Sequence, residues 1–195
     1  MSTPVLISFL AYAFTTALTP GPNNFLTLNT VGRFGIKRSV PMMAGIVSGI
    51  AIIMLITAIL SSLLAAWIPQ ISVIARYLGA IYILYLAYRI FTSPTPSVDP
   101  TQKAPRFVTG MGLQFLNVKI ILYAITSLNS FVLPITSDPF VVSAYAALLT
   151  SISAISLVIW AGLGVLLTQI MQKHTRIINT ILASILVESA ITLLF

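Results

Sequence analysis

The run Phe14-Thr15-Thr16-Ala17-Leu18-Thr19-Pro20-Gly21-Pro22-Asn23-Asn24-Phe25-Leu26-Thr27-Leu28 decides the fold. It sits inside an uncharged, mostly apolar stretch from Val5 to Val31. A bilayer-spanning helix needs roughly 20 such residues. This stretch is too long for the apolar core of a signal peptide, and no basic residues precede it. A retained membrane helix is therefore expected. Pro20 and Pro22 each remove a backbone donor, and a proline inside a helix costs about 3 kcal/mol. The helix should break or kink sharply at membrane depth. In hydrocarbon, irregular backbone survives only where it is buried in protein or lines a wet cavity. A half-helix beginning near Pro22 would turn its positive end into that place, which suits a substrate carboxylate. Single prolines in membrane helices are often plain kinks, but two prolines, a glycine and two asparagines in Pro20–Asn24 favour a substrate path.

Composition points the same way. Of 195 residues, 58% are hydrophobic and 7% charged, and the mean hydropathy is +1.05. A soluble domain carries about a quarter charged residues. The net charge of +7 does not read as a nucleic-acid surface, because the Lys and Arg residues are scattered between apolar segments rather than gathered on a face. The absence of cysteine removes any disulfide framework, thiolate metal site or cysteine nucleophile.

Hydropathy predicts an all-α integral membrane protein, one transmembrane domain over residues 1–195. Its expected helices lie near Pro4–Thr30, Val40–Trp67, Ser72–Phe91, Phe107–Leu133, Phe140–Gln169 and Ile177–Phe195. A linker at 92–106, rich in Pro, Ser and Thr, divides them into two sets of three. Three helices per half gives the halves opposed topologies, as in inverted-repeat transporters. Arg33, Lys37, Arg38, Arg89, Lys103, Arg106, Lys173 and Arg176 fall in alternate loops, whereas Arg76 falls in one of the others. The positive-inside rule places the first set in the cytoplasm and both termini in the periplasm.

Lys119 lies near the centre of the fourth expected span, where translocon scales charge about 2.5 to 3.5 kcal/mol for a lysine. Snorkelling to the surface is difficult from so deep a position, so Lys119 is expected to face a cavity or a partner. Tyr123, Thr126 and Ser130 continue its face, and Gln114 and Asn117 mark a neighbouring one. Tyr12, Thr15, Thr19, Asn23 and Thr27 recur at helical spacing and are expected to form a polar stripe, although threonines also bond their own backbone carbonyls. Glu188 either pairs with Lys119 or lies near the membrane surface. Gly45 and Gly49 read as a close helix-packing motif, Trp67, Tyr88 and Phe91 as interfacial anchors, and His174 as a solvated loop residue. No phosphate-binding loop, metal pair or Ser/His/Asp set is present in the sequence. No enzyme activity, cofactor or metal is expected.

These features resemble the LysE/RhtB amino-acid exporters of bacteria. The matching elements are Thr19-Pro20-Gly21-Pro22-Asn23-Asn24, and Gln114-Phe115-Leu116-Asn117-Val118-Lys119 at the family's Asn-Pro-Lys element. Gly79-Ala80-Ile81-Tyr82 with Leu86-Ala87-Tyr88 is similar to the third span. The likeness covers essentially the whole chain in length, helix count and motif order. Val118 stands where the family usually has proline, a departure shared with the branch that exports cysteine and O-acetylserine. Ile120-Ile121-Leu122-Tyr123 and Phe131-Val132-Leu133-Pro134 are similar to that branch too. Glu188 matches no family motif.

The resemblance implies a secondary exporter in the bacterial inner membrane that moves cysteine and O-acetylserine from cytoplasm to periplasm. Homoserine, threonine or leucine are the alternative substrates. The expected path is Thr19, Pro20, Gly21, Pro22, Asn23, Asn24, Gln114, Asn117, Lys119 and Tyr123. The expected partners are a small amino acid and the lipid bilayer, with protons as coupling ion or facilitated diffusion as the alternative, and with a homo-oligomer left open. A non-transporting assembly subunit is the rival of another class. It would have no use for a midplane lysine and a broken helix.

Overall fold

The computed structural model describes residues 1–64, 68–92 and 103–194. Trp67, most of the expected linker (93–102) and Phe195 lie outside the described residues, as does the side chain of Arg76. The described residues hold seven α-helices and one π turn, not the six helices expected: α1 Thr3–Leu18, α2 Pro22–Leu64, α3 Ile68–Phe91, α4 Phe107–Gln114, α5 Val118–Ser127, a π turn Leu128–Val132, α6 Pro139–Lys173 and α7 Thr175–Leu194. Each difference has a local cause.

The first expected helix is two. Thr19 precedes a proline, whose ring disfavours the α conformation of the residue before it, and Thr19 adopts φ −54°, ψ 133°. α1 therefore stops at Leu18. Pro22 then opens α2, where its missing N–H would have had no partner in any case.

The charged segment Arg33–Arg38, expected as a loop, is instead a kink. Gly35 has φ 76°, ψ 165°, a region open in practice to glycine alone. The helical path resumes at once on its far side, so α2 is a pair of helices, 22–34 and 36–64, meeting at one residue. Ser39 Oγ donates to the Gly35 carbonyl at 2.7 Å.

The fourth expected helix is also two, with α4 and the α5–π segment bent by 59°. No proline causes this. Gly110 and Gly112 weaken α4, and its last turn tightens, with Phe115 N to Gly112 O at 3.3 Å, Leu116 N to Leu113 O at 3.3 Å and Asn117 N to Gln114 O at 3.0 Å. Asn117, at ψ 89°, then turns the chain into α5.

α6 begins with Asp138, whose side chain accepts from Phe140 N and Val141 N, and nothing stops it at Gln169. It runs to Lys173, and His174 alone separates it from α7.

Among the described residues, three helices are long and apolar enough to cross a bilayer, Pro22–Leu60, Pro139–Leu167 and Thr175–Thr192, and the bent α4–α5 pair makes a fourth if it is one span. α2 packs along α4 and α6, and α3 along α7. The α2–α4 crossing depends on glycine. A Cβ on Gly45 would strike the Phe107 carbonyl, one on Gly110 the Met42 carbonyl, and one on Gly49 the Gln114 side chain at 2.6 Å. The close packing expected of Gly45 and Gly49 is thus present. Between these helices lies a core of Phe9, Ala13, Met42, Ile46, Ile50, Tyr123, Leu128 and Leu149, with Phe9 edge-on to Phe131 and Tyr145. A second cluster joins Ala80, Ile83 and Ala87 of α3 to Ala183, Leu186 and Ala190 of α7. The outer surface is equally apolar, with Phe140 84%, Ile59 73% and Leu166 72% exposed. In water such a shell would be a liability, but it is the surface that lipid solvates. Tyr88 and Phe91 are exposed at the end of α3.

Candidate functional site

The two breaks meet. The end of α1 and start of α2 lie against the end of α4 and start of α5, so that residues about 90 positions apart bond directly. Asn23 and Gln114 form a reciprocal amide pair: Asn23 Nδ2 donates to Gln114 Oε1 at 2.7 Å, and Gln114 Nε2 to Asn23 Oδ1 at 3.0 Å. Asn117 Nδ2 adds a second bond to Asn23 Oδ1 at 3.0 Å. All three side chains are buried. Gln114 reaches Asn23 because Gly49 leaves room for its methylenes.

The end of α1 presents carbonyls that no following helical turn can satisfy, and side chains from three other elements meet them. Asn24 Nδ2 donates to Ala17 O at 2.9 Å and Thr19 O at 3.0 Å. Ser156 Oγ donates to Ala17 O at 2.7 Å and Trp160 Nε1 to Leu18 O at 3.2 Å. Lys119 Nζ donates to Thr19 O at 2.7 Å, placing its charge at the negative end of α1. Its stem crosses Gly21 so closely that a Cβ there would lie 2.9 Å from Nζ. Tyr123 Oη donates to Ala13 O at 3.4 Å.

The sequence-predicted residues are thus brought together, with changes of role. Lys119 is bound to a backbone carbonyl and forms no ion pair with Glu188. The stripe from Tyr12 to Thr27 is not one face, because Thr15 and Thr19 are exposed whereas Asn23 and Thr27 are buried. Sequence reading missed α6: Ser153 and Ser156 are buried, and Ser153, Ser156 and Trp160 recur at three and four residues in an apolar helix, a polar face that the spacing alone reveals.

Among the described residues, Lys119 lines two cavities. One, of about 30 Å³, is lined by Gly21, Asn23, Asn24, Asn117, Lys119 and Tyr123. That is room for a water molecule or so, too small for an amino acid. Asn117 Oδ1 is buried at this junction without a partner, an acceptor waiting for a donor. The other cavity, of about 480 Å³, lies on the far side of Lys119, bounded by α1, α3 and α7. Together the junction offers amide donors and acceptors, a cation and helix ends of both signs. That set is suited to a small zwitterion and has no nucleophile paired with a base.

Two broken helices meeting inside an apolar bundle is an architecture of membrane translocators. The chain belongs to the LysE type translocator family, whose profile matches residues 14–195, and is a multi-pass membrane protein. A cysteine/O-acetylserine efflux protein of Klebsiella pneumoniae subsp. pneumoniae is 43% identical over 194 residues, 97% of each chain. Proteins of the same description from Salmonella typhimurium and Escherichia coli O1:K1 / APEC are 40% and 39% identical, each over 99% of this chain and all of the relative. No solved structure matches it.

Proposed function

We propose that this chain exports cysteine and O-acetylserine from the cytoplasm to the periplasm across the bacterial inner membrane. The observation that carries the reading is the meeting of two broken helices, one from each side of the linker, at Asn23, Gln114, Asn117 and Lys119. Relatives of nearly equal length described as efflux proteins for these two solutes support the substrate.

In this proposal α1 with the first part of α2 makes one span, and α4 with α5 the corresponding span of an inverted second half. The remaining spans are 36–64, α3, α6 and α7. Both termini face the periplasm. The conformation described is the closed one: the amide pair of Asn23 and Gln114 joins the halves, and the space at their junction is too small for an amino acid. Export alternates between opening that pair toward one side and toward the other. Lys119 and the N-terminal end of α2 attract the substrate carboxylate. Asn117 Oδ1 and the carbonyls at the end of α1 accept from its ammonium. The proton gradient drives the cycle.

Everted membrane vesicles, in which export becomes accumulation, test this. Vesicles containing the protein should accumulate labelled cysteine and O-acetylserine, and an uncoupler should abolish the accumulation. Vesicles with inserted protein and an intact gradient that accumulate neither would remove the substrate assignment. Accumulation that withstands the uncoupler would remove the proton.

A further inference from the structure

The chain has three acidic residues. Asp138 caps α6, Asp99 lies outside the described residues, and Glu188 is carried by α7 on the wall of the 480 Å³ cavity that Lys119 also lines. Among the described residues the Glu188 carboxylate is met by the Thr192 hydroxyl of its own helix, at 3.2 Å from Oε1. Lys119, which lines the same cavity, is held by the Thr19 carbonyl. Glu188 is exposed to this space and Lys119 is half-buried beside it, so opposite charges border a cavity large enough for a small molecule. Thr16 of α1 and Ser189 of α7 add hydroxyls to that space, and Ile83 and Leu186 add an apolar wall.

We propose that Glu188 receives the substrate's α-ammonium group in this cavity while Lys119 receives its carboxylate, so that the lateral cavity is the loading site next to the closed junction. The assignment rests on the export reading above and adds a requirement to it: a free α-amino group, with a short side chain lying against Ile83 and Leu186. An acid that meets the substrate ammonium loses that partner when the amine is acylated, and a site built to pair a substrate N–H rejects the analogue lacking it. Glu188, on this account, selects zwitterions against the N-acylated anions that share their side chains.

The test compares uptake of cysteine and N-acetylcysteine by everted vesicles carrying wild-type protein, Glu188→Gln or Glu188→Asp, each normalised to inserted protein. Wild type should accumulate cysteine at least about ten-fold more than N-acetylcysteine. Glu188→Gln should lose most cysteine uptake and bring the ratio of the two toward one, and Glu188→Asp should retain the preference. A merely structural role would lower both uptakes and leave the ratio unchanged. Wild type accumulating both solutes equally overturns the proposal without recourse to any variant, as does an inserted Glu188→Gln that discriminates like wild type. If wild type accumulates cysteine but Glu188 is immaterial, the export reading stands alone. Failure to accumulate cysteine at all overturns both.

Discussion

Lys119 and Asn23 are the residues through which the two broken helices hold each other, one by a charge on a helix end, the other by a reciprocal amide pair. Lys119→Met keeps most of the stem that packs over Gly21 but removes the donor to Thr19 and the charge facing the large cavity. Efflux should fall by more than about ten-fold, equivalent to ~1.4 kcal/mol, while insertion, measured by the amount of protein in the membrane fraction, is unchanged. Wild-type efflux by the inserted variant would remove Lys119 from the path. That Lys119 would face a cavity or a partner was legible, because a lysine deep in an apolar span demands a reason. Its partner was not, since a backbone carbonyl leaves no mark in sequence. Nor was the pairing of Asn23 with Gln114, which lie 91 residues apart; both amides stood out as polar residues in apolar spans, but nothing in either segment named the other.

The helices divide into those whose ends are written in side-chain chemistry and those whose ends depend on packing. The stop of α1 was legible because Pro20 and Pro22 act through local sterics. The bend between α4 and α5 was not, because Val118 occupies the position where a proline would have announced it; there the cause is a weakened glycine-containing turn and tertiary bonds to Asn117. The kink at Gly35 was hidden among charges that read as a loop. Close packing makes its own prediction. Gly110→Ala would drive a methyl into the Met42 carbonyl, and overpacking of this kind costs about 1 to 3 kcal/mol. Gly162, with nothing within 4 Å of its missing Cβ, should tolerate alanine or gain up to about 1 kcal/mol from helix propensity. Thermal unfolding of the two purified variants in detergent measures the contrast. A Gly110→Ala midpoint equal to that of wild type would mean that the α2–α4 crossing is looser than the structure has it.

At the scale of the whole molecule, an apolar exterior surrounds a polar junction, the reverse of the arrangement water selects. Composition made that legible from the start, since so hydrophobic a chain has no other way to be solvated. The helix count was not, because hydropathy registers a span and not the breaks within it. We propose the junction of the broken helices as the path of the substrate, exposed in turn to each side of the membrane. The chain has no native cysteine, so a single thiol reports without background, and Thr16 borders both cavities. The direct measurement is labelling of Thr16→Cys by an impermeant thiol reagent in everted and in right-side-out vesicles, with and without O-acetylserine, in protein shown to retain efflux. Labelling from both sides, slowed by O-acetylserine in each, is the predicted result. Labelling from one side alone and indifferent to O-acetylserine would rule out a junction that opens to each side in turn.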